Sequence, residues 1–169
     1  MTDEPITGYI DLKVRNSECI KEVRDEVYFQ SGAHIEGYCI KEPHITIIPP
    51  FSIPRSQAQA VEELVSSSQL IGEEVIFTGM GVWPSIRNPR VVLLTTSLSL
   101  REERERLMTN LARLGASFNT RPVKPHLTLF KIDNGFEVET AVKHRLRQCI
   151  FEQRGFWSDT VEFVDFTRT

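Results

Sequence analysis

Pro43-His44-Ile45-Thr46-Ile47 returns later in the chain as Pro125-His126-Leu127-Thr128-Leu129. Both stretches read as β-strands. Ile45, Thr46, Ile47 and Ile48 in the first, and Leu127, Thr128 and Leu129 in the second, are short runs of residues that suit a pleated, half-buried surface. Side chains alternate along a strand, so residues i and i+2 share a side. His44 therefore stands beside Thr46, and His126 beside Thr128, with aliphatic anchors on the reverse. If the two strands meet, two imidazoles and two hydroxyls converge. That set is equipped for acid–base work on a phosphate.

Outward from the motifs, the pattern predicts strands over about 6–14, 43–49, 73–82, 89–97, 125–132 and 157–168. Four amphipathic helices fit between them. The first runs from about Ser17, as N-cap, to Gln30, with Ile20, Val23 and Val27 on one face. The second starts near Pro54 or Arg55, carries Val61, Leu64 and Val65, and ends before Gly72. The third opens with a capping-box pattern, Ser99-Leu100-Arg101-Glu102, and runs to Gly115. The fourth follows Asn134-Gly135-Phe136-Glu137, shows Val138, Ala141, Val142, Leu146, Cys149 and Ile150, and stops at Gly155. The order is βαβαβ twice, with a motif strand at the middle of each half. The expected fold is α+β and bilobal, with duplicated halves, antiparallel-type sheets lining a central cleft and helices outside. One domain is expected over 1–169, its halves about 1–84 and 85–169, with the motif strands facing each other across the cleft.

Composition narrows the function. The chain has 169 residues, 40% hydrophobic and 25% charged, as in ordinary globular proteins. Its apolar runs are too short to span a bilayer, and Met1-Thr2-Asp3-Glu4-Pro5 lacks the order of a signal peptide. Cys19, Cys39 and Cys149 fit neither a disulfide framework nor a zinc spacing. The expectation is a reduced, cytoplasmic monomer with no membrane partner. A formal charge of −3 argues against bulk binding to long nucleic acid. It leaves room for a nucleotide or RNA end held by the local cations Arg87, Arg90, Arg121, Lys124 and Lys131.

Histidine titrates near neutral pH, so one imidazole can take a proton while another gives one up. Hydrolysis of a cyclic phosphodiester needs both acts: a proton leaves water, and another reaches the departing sugar oxygen. Thr46 and Thr128 would donate hydrogen bonds to the non-bridging phosphate oxygens. A phosphate bridging both imidazoles would set their nitrogens roughly 5–8 Å apart. Two histidines are too few for a metal site, and no nearby Asp, Glu or Cys shares the pattern, so neither metal nor cofactor is called for. His34 and His144 lie outside the repeat and read as solvated. A different class, a nucleotide- or RNA-end-binding module with little turnover, would be served as well by Arg or Lys in place of histidine.

The paired His-x-Thr motifs resemble the 2H phosphoesterase superfamily, most closely its 2′-5′ RNA ligase-like branch. Gly81-Val82-Trp83-Pro84 followed by Asn88-Pro89-Arg90-Val91-Val92 is similar to the Gly-x-aromatic-Pro and Pro-Arg-Val-aliphatic stretches of that branch. Arg121-Pro122-Val123-Lys124 leading into the second motif resembles its counterpart there, and the likeness runs from about residue 6 to 168. It implies a bilobal fold and metal-independent action on RNA ends or small nucleotides with 2′,3′-cyclic phosphates, with 2′-5′ RNA ligase activity as a further expectation. Where the family often has an aromatic-Leu-Gly turn, this chain has Ile48-Pro49-Pro50-Phe51; after the second motif it has Phe130-Lys131 in place of a small residue and Arg. The expected site is thus His44, Thr46, His126 and Thr128 as catalytic groups, with Phe51, Arg90, Lys124, Phe130 and Lys131 around the substrate.

Overall fold

The computed structural model describes residues 3–15, 17–31, 37–39, 43–85, 87–96, 99–118, 124–132, 140, 144 and 155–166. The elements are β1 (Pro5–Val14), α1 (Ser17–Ser31), β2 (Gly37–Cys39), β3 (His44–Pro54), a 3₁₀ turn (Arg55–Gln57), α2 (Ala58–Ser66), β4 (Glu74–Ser85), β5 (Asn88–Thr96), α3 (Arg101–Arg113), β6 (Ser117–Phe118), β7 (His126–Ile132) and β8 (Gly155–Asp165). The fold is α+β, and every described strand pairing is antiparallel. The six strands read from the sequence all form. Most of the fourth expected helix lies outside the described residues. Each half also holds a very short strand that periodicity did not reveal, β2 and β6; two or three residues carry no alternation to detect.

The strand order is β2-β7-β5-β4-β8-β1-β3-β6, with a further pairing of β7 to β3. Taken as a circuit, β1, β3, β7, β5, β4 and β8 close on themselves. Exchanging β1 with β5, β2 with β6, β3 with β7 and β4 with β8 maps every one of these pairings onto another. The contacts β3–β7 and β4–β8 map onto themselves and are the two seams between lobes. The last strand of each half crosses over: β4 pairs with β5, and β8 with β1. Each lobe is therefore built from both halves of the chain. The helices follow the same exchange, since α1 packs against β7 and α3 against β3.

One core runs through both lobes. Ile10 and Leu12 of β1, Ile45 and Ile47 of β3, Val92 and Leu94 of β5, and Leu127 and Leu129 of β7 are buried in it. α2 adds Val61 and Val65, and α3 adds Leu107 and Leu111. Ser99 does not cap α3: Leu100 occupies the N-cap position with no side-chain hydrogen bond. Gly8 stands where β3 and β8 crowd β1. A Cβ there would meet the Val164 carbonyl and the Phe163 ring, and the Phe163 ring packs 5.5 Å from that of Phe51. Among the described residues no helix is long and apolar enough to cross a membrane.

Candidate active site

The motif strands are neighbours. Ile45 of β3 pairs with Leu127 of β7 in antiparallel register, and both are fully buried. Carried one residue either way, that register sets His44 opposite Thr128 and Thr46 opposite His126. Opposite residues of an antiparallel pair share a side. All four side chains are half-exposed while the residues between them are buried. His44 and His126 are then diagonal neighbours, a relation that separates side-chain origins by about 7 Å.

Both motif strands carry a β-bulge at the same place. Along β1, Asp11 pairs with Thr46 and Ile10 with Ile48, so Ile47 is the extra residue. Along β5, Leu93 pairs with Thr128 and Val92 with Phe130, so Leu129 is extra. A bulge lets two consecutive side chains turn to one side and bends the strand. Ile47 and Ile48 are accordingly both buried, as are Leu129 and Phe130. The sequence signal is legible afterwards: each His-x-Thr is followed by two apolar residues where strict alternation allows one. Each bulge interrupts the polar side of its strand for the two residues after the threonine.

The expected substrate-binding residues separate. Phe51 is 2% exposed, its ring packed on Phe118 and Phe163, and Phe130 is 4% exposed. Both aromatics are core residues and do not stand around the substrate as expected; the irregular register of their strands turns them inward. Lys131 is exposed, and its partner Val91 is on the side of Leu93 and Thr128; the bulge returns it to the side of the motif. Lys124 is exposed two residues before His126, and its backbone carbonyl accepts a hydrogen bond of 2.8 Å from His126 Nδ1–H. Arg90 lies on β5, but its side chain is outside the described residues, as is Arg121. His144 is exposed.

The carbonyl of Lys124 can only accept, so Nδ1 of His126 bears the proton and Nε2 is the nitrogen left for chemistry. His44 has different company. Lys13 pairs with it and Asp11 with Thr46 along β1, and the Tyr9 ring lies 5.8 Å from the imidazole. Asp11 is fully buried, with Oδ2 3.2 Å from Lys13 Nζ. Under the exchange of halves, Asp11 and Lys13 correspond to Leu93 and Thr95. The site is thus symmetric in its motifs and asymmetric in its electrostatics. Sequence reading missed Asp11 and Lys13 because one ion pair in an ordinary strand carries no motif.

Burial pushes the Asp11 carboxyl above its usual value, against the attraction of Lys13 and His44. A carboxyl raised on folding holds its proton more tightly in the folded chain than in the unfolded one. Stability should therefore drop as pH rises from 3.8, the ordinary value, through the raised one. Asp11→Asn removes that contribution, so urea midpoints of the variant should fall less over this window than those of the parent. Parallel pH slopes for the two proteins would contradict the assignment.

No family model matches the sequence, and no curated protein matches it. Solved structures do. The chain is similar to the PDE domain of MHV ns2, with a TM-score of 0.67 at 16% identity, covering 95% of this chain and 99% of that one. It is similar to E. coli LigT complexed with 3′-AMP, with a TM-score of 0.54 at 15% identity, covering 96% of each. A third solved phosphoesterase gives a TM-score of 0.54 at 16% identity and 96% of each chain. At such identities the likeness is one of fold, and it extends over nearly the whole chain: this protein has the 2H phosphoesterase fold.

Proposed function

We propose that this chain is a 2H-type phosphodiesterase that opens 2′,3′-cyclic phosphates on RNA ends or small nucleotides. The observation that carries the reading is the β3–β7 register, which gathers two imidazoles and two hydroxyls on one side of adjacent strands. In the forward reaction Nε2 of His126, with its tautomer held by the Lys124 carbonyl, takes a proton from water. The water oxygen forms a bond to phosphorus, and the bond from phosphorus to one sugar oxygen breaks. His44, attracted by the buried Asp11 carboxylate, gives its proton to that oxygen. Thr46 and Thr128 hold the non-bridging oxygens as charge builds on them. Run backwards, the same steps close the ring. With a 5′-hydroxyl in place of water, the new bond forms from phosphorus to O5′. The bond to O3′ breaks, O3′ takes the proton from His44, and the product is a 2′-5′ link. The fold likeness to LigT, solved with 3′-AMP, agrees with a nucleotide substrate.

The test is incubation with 2′,3′-cyclic mononucleotides and with cyclic-phosphate-ended RNA, followed by identification of the product. Appearance of a 2′- or a 3′-phosphate identifies the leaving oxygen; binding without product would make the protein a recognition module instead. Because side chains supply every role in this scheme, turnover should survive exhaustive chelation. Loss of activity that a divalent ion restores would move the protein to another class of hydrolase.

A further inference from the structure

The first motif lies against a buried charge, and the second does not. On β1, Lys13 pairs with His44 and Asp11 with Thr46, so these four side chains share one side of the β1–β3 pair. Asp11 is fully buried, and Lys13 Nζ stands 3.2 Å from its Oδ2. Among the described residues no group makes a well-aligned hydrogen bond to either carboxylate oxygen. Across the other edge of β1, Asp11 pairs with Glu162 of β8, whose charge opposes its ionisation. Burying one carboxylate beside another is costly, whereas an apolar residue there would not be. The other half of the chain has such a residue. On β5, Leu93 pairs with Thr128 as Asp11 pairs with Thr46, and Thr95 pairs with His126 as Lys13 pairs with His44.

The two imidazoles therefore meet unlike surroundings. Among the described residues, His44 faces Lys13, the diagonal Asp11 and the Tyr9 ring on β1, and Thr128 and the diagonal His126 on β7. Glu162 lies one strand further out, exposed, and accepts a hydrogen bond of 3.2 Å from Thr160 Oγ1–H. On β5, His126 has only the uncharged Thr95 and Leu93 beside it. A carboxylate at the diagonal separation of about 7 Å stabilises an imidazolium. The Lys13 ammonium opposes that effect on His44, and at the same time it favours the ionised Asp11.

We propose that Asp11 is a positioning residue that sets the direction of proton flow: its carboxylate holds His44 as the acid and leaves His126, on the uncharged side, as the base. Lys13 is its counterweight. Two His-x-Thr motifs alone would leave the imidazoles interchangeable, and the Asp11–Lys13 pair distinguishes them. The inference rests on the phosphodiesterase reading above and deepens it by naming the groups that assign the two roles. No proton passes to Asp11 in the forward reaction. The one lost by water goes to Nε2 of His126, and the one gained by the sugar oxygen comes from His44.

The experiment follows kcat/KM against pH on a 2′,3′-cyclic mononucleotide, since this profile reports the acid and base of the free enzyme. It compares the parent, Asp11→Asn, Lys13→Gln and the double variant. Asp11→Asn leaves an ammonium beside His44 without its carboxylate, so the alkaline limb should move down by roughly one pH unit, tenfold in proton affinity. Lys13→Gln should move that limb up, and the double variant should fall between the two. The acidic limb, which belongs to His126, should stay in place throughout. A purely structural role would move neither limb. An alkaline limb unmoved by Asp11→Asn, single variants shifting in the same direction, or a shift confined to the acidic limb would overturn the proposal. The imidazole resonances of the same four proteins, titrated by NMR without substrate, should show the same shifts at His44 and none at His126. If no cyclic phosphate turns over, the phosphodiesterase reading fails. The NMR titrations then decide alone whether Asp11 holds the charge of His44.

Discussion

His126→Ala should lower turnover of a 2′,3′-cyclic phosphate by about 10²–10⁴, the usual scale for losing one general acid or base, and His44→Ala should do the same. Both side chains are half-exposed, so neither truncation opens a core cavity, and the variants should unfold near the parental denaturant midpoint. Their effects should differ in kind. The parent's pH–rate profile should be bell-shaped, since one imidazole must be neutral and the other charged. With His126 as the base, His126→Ala should flatten the acidic limb of the residual activity. With His44 as the acid, His44→Ala should flatten the alkaline limb. Opposite limbs would exchange the two roles. A His44→Ala enzyme working at the parental rate would remove the catalytic reading of the motif altogether. Thr46→Ala and Thr128→Ala should cost less than either histidine, because one neutral donor supplies only part of the charge stabilisation.

The motif was legible because it is a repeat of unusual residue types at the spacing of one strand face. His44 beside Thr46 and His126 beside Thr128 follow from alternation alone. What alternation cannot supply is which strand lies next to which. The pairing of Ile45 with Leu127 and the crossing of β4 and β8 into opposite lobes are decisions of the whole chain. The place expected for Phe51 beside the substrate illustrates the same gap. Phe51 follows the first motif where the chain departs from the family's aromatic-Leu-Gly turn, and its ring packs on Phe118 and Phe163 in the core.

The seam beneath the site carries the other large expectation. Ile45 and Leu127 are opposite one another, fully buried, and each is flanked in sequence by the histidine and threonine of its motif. Leu127→Ala should cost about 2–5 kcal/mol of stability, the lost transfer energy plus a cavity that strands held on both edges cannot easily close. Ile45→Ala should fall in the same range. Because the two residues touch one seam, the double variant should depart from additivity by more than about 0.5 kcal/mol. Urea unfolding of the parent, both singles and the double measures all three terms. Activity should fall as well, at temperatures where the variants remain folded. The seam sets the distance between the imidazoles, and a displacement of about 1 Å between reacting groups can cost on the order of 10²-fold in rate. The fall should be in kcat more than in KM, since the cations around the site remain. A Leu127→Ala protein with the parental urea midpoint would mean that β3 and β7 do not meet at this pair. The two motifs would then have to find another way to share one phosphate.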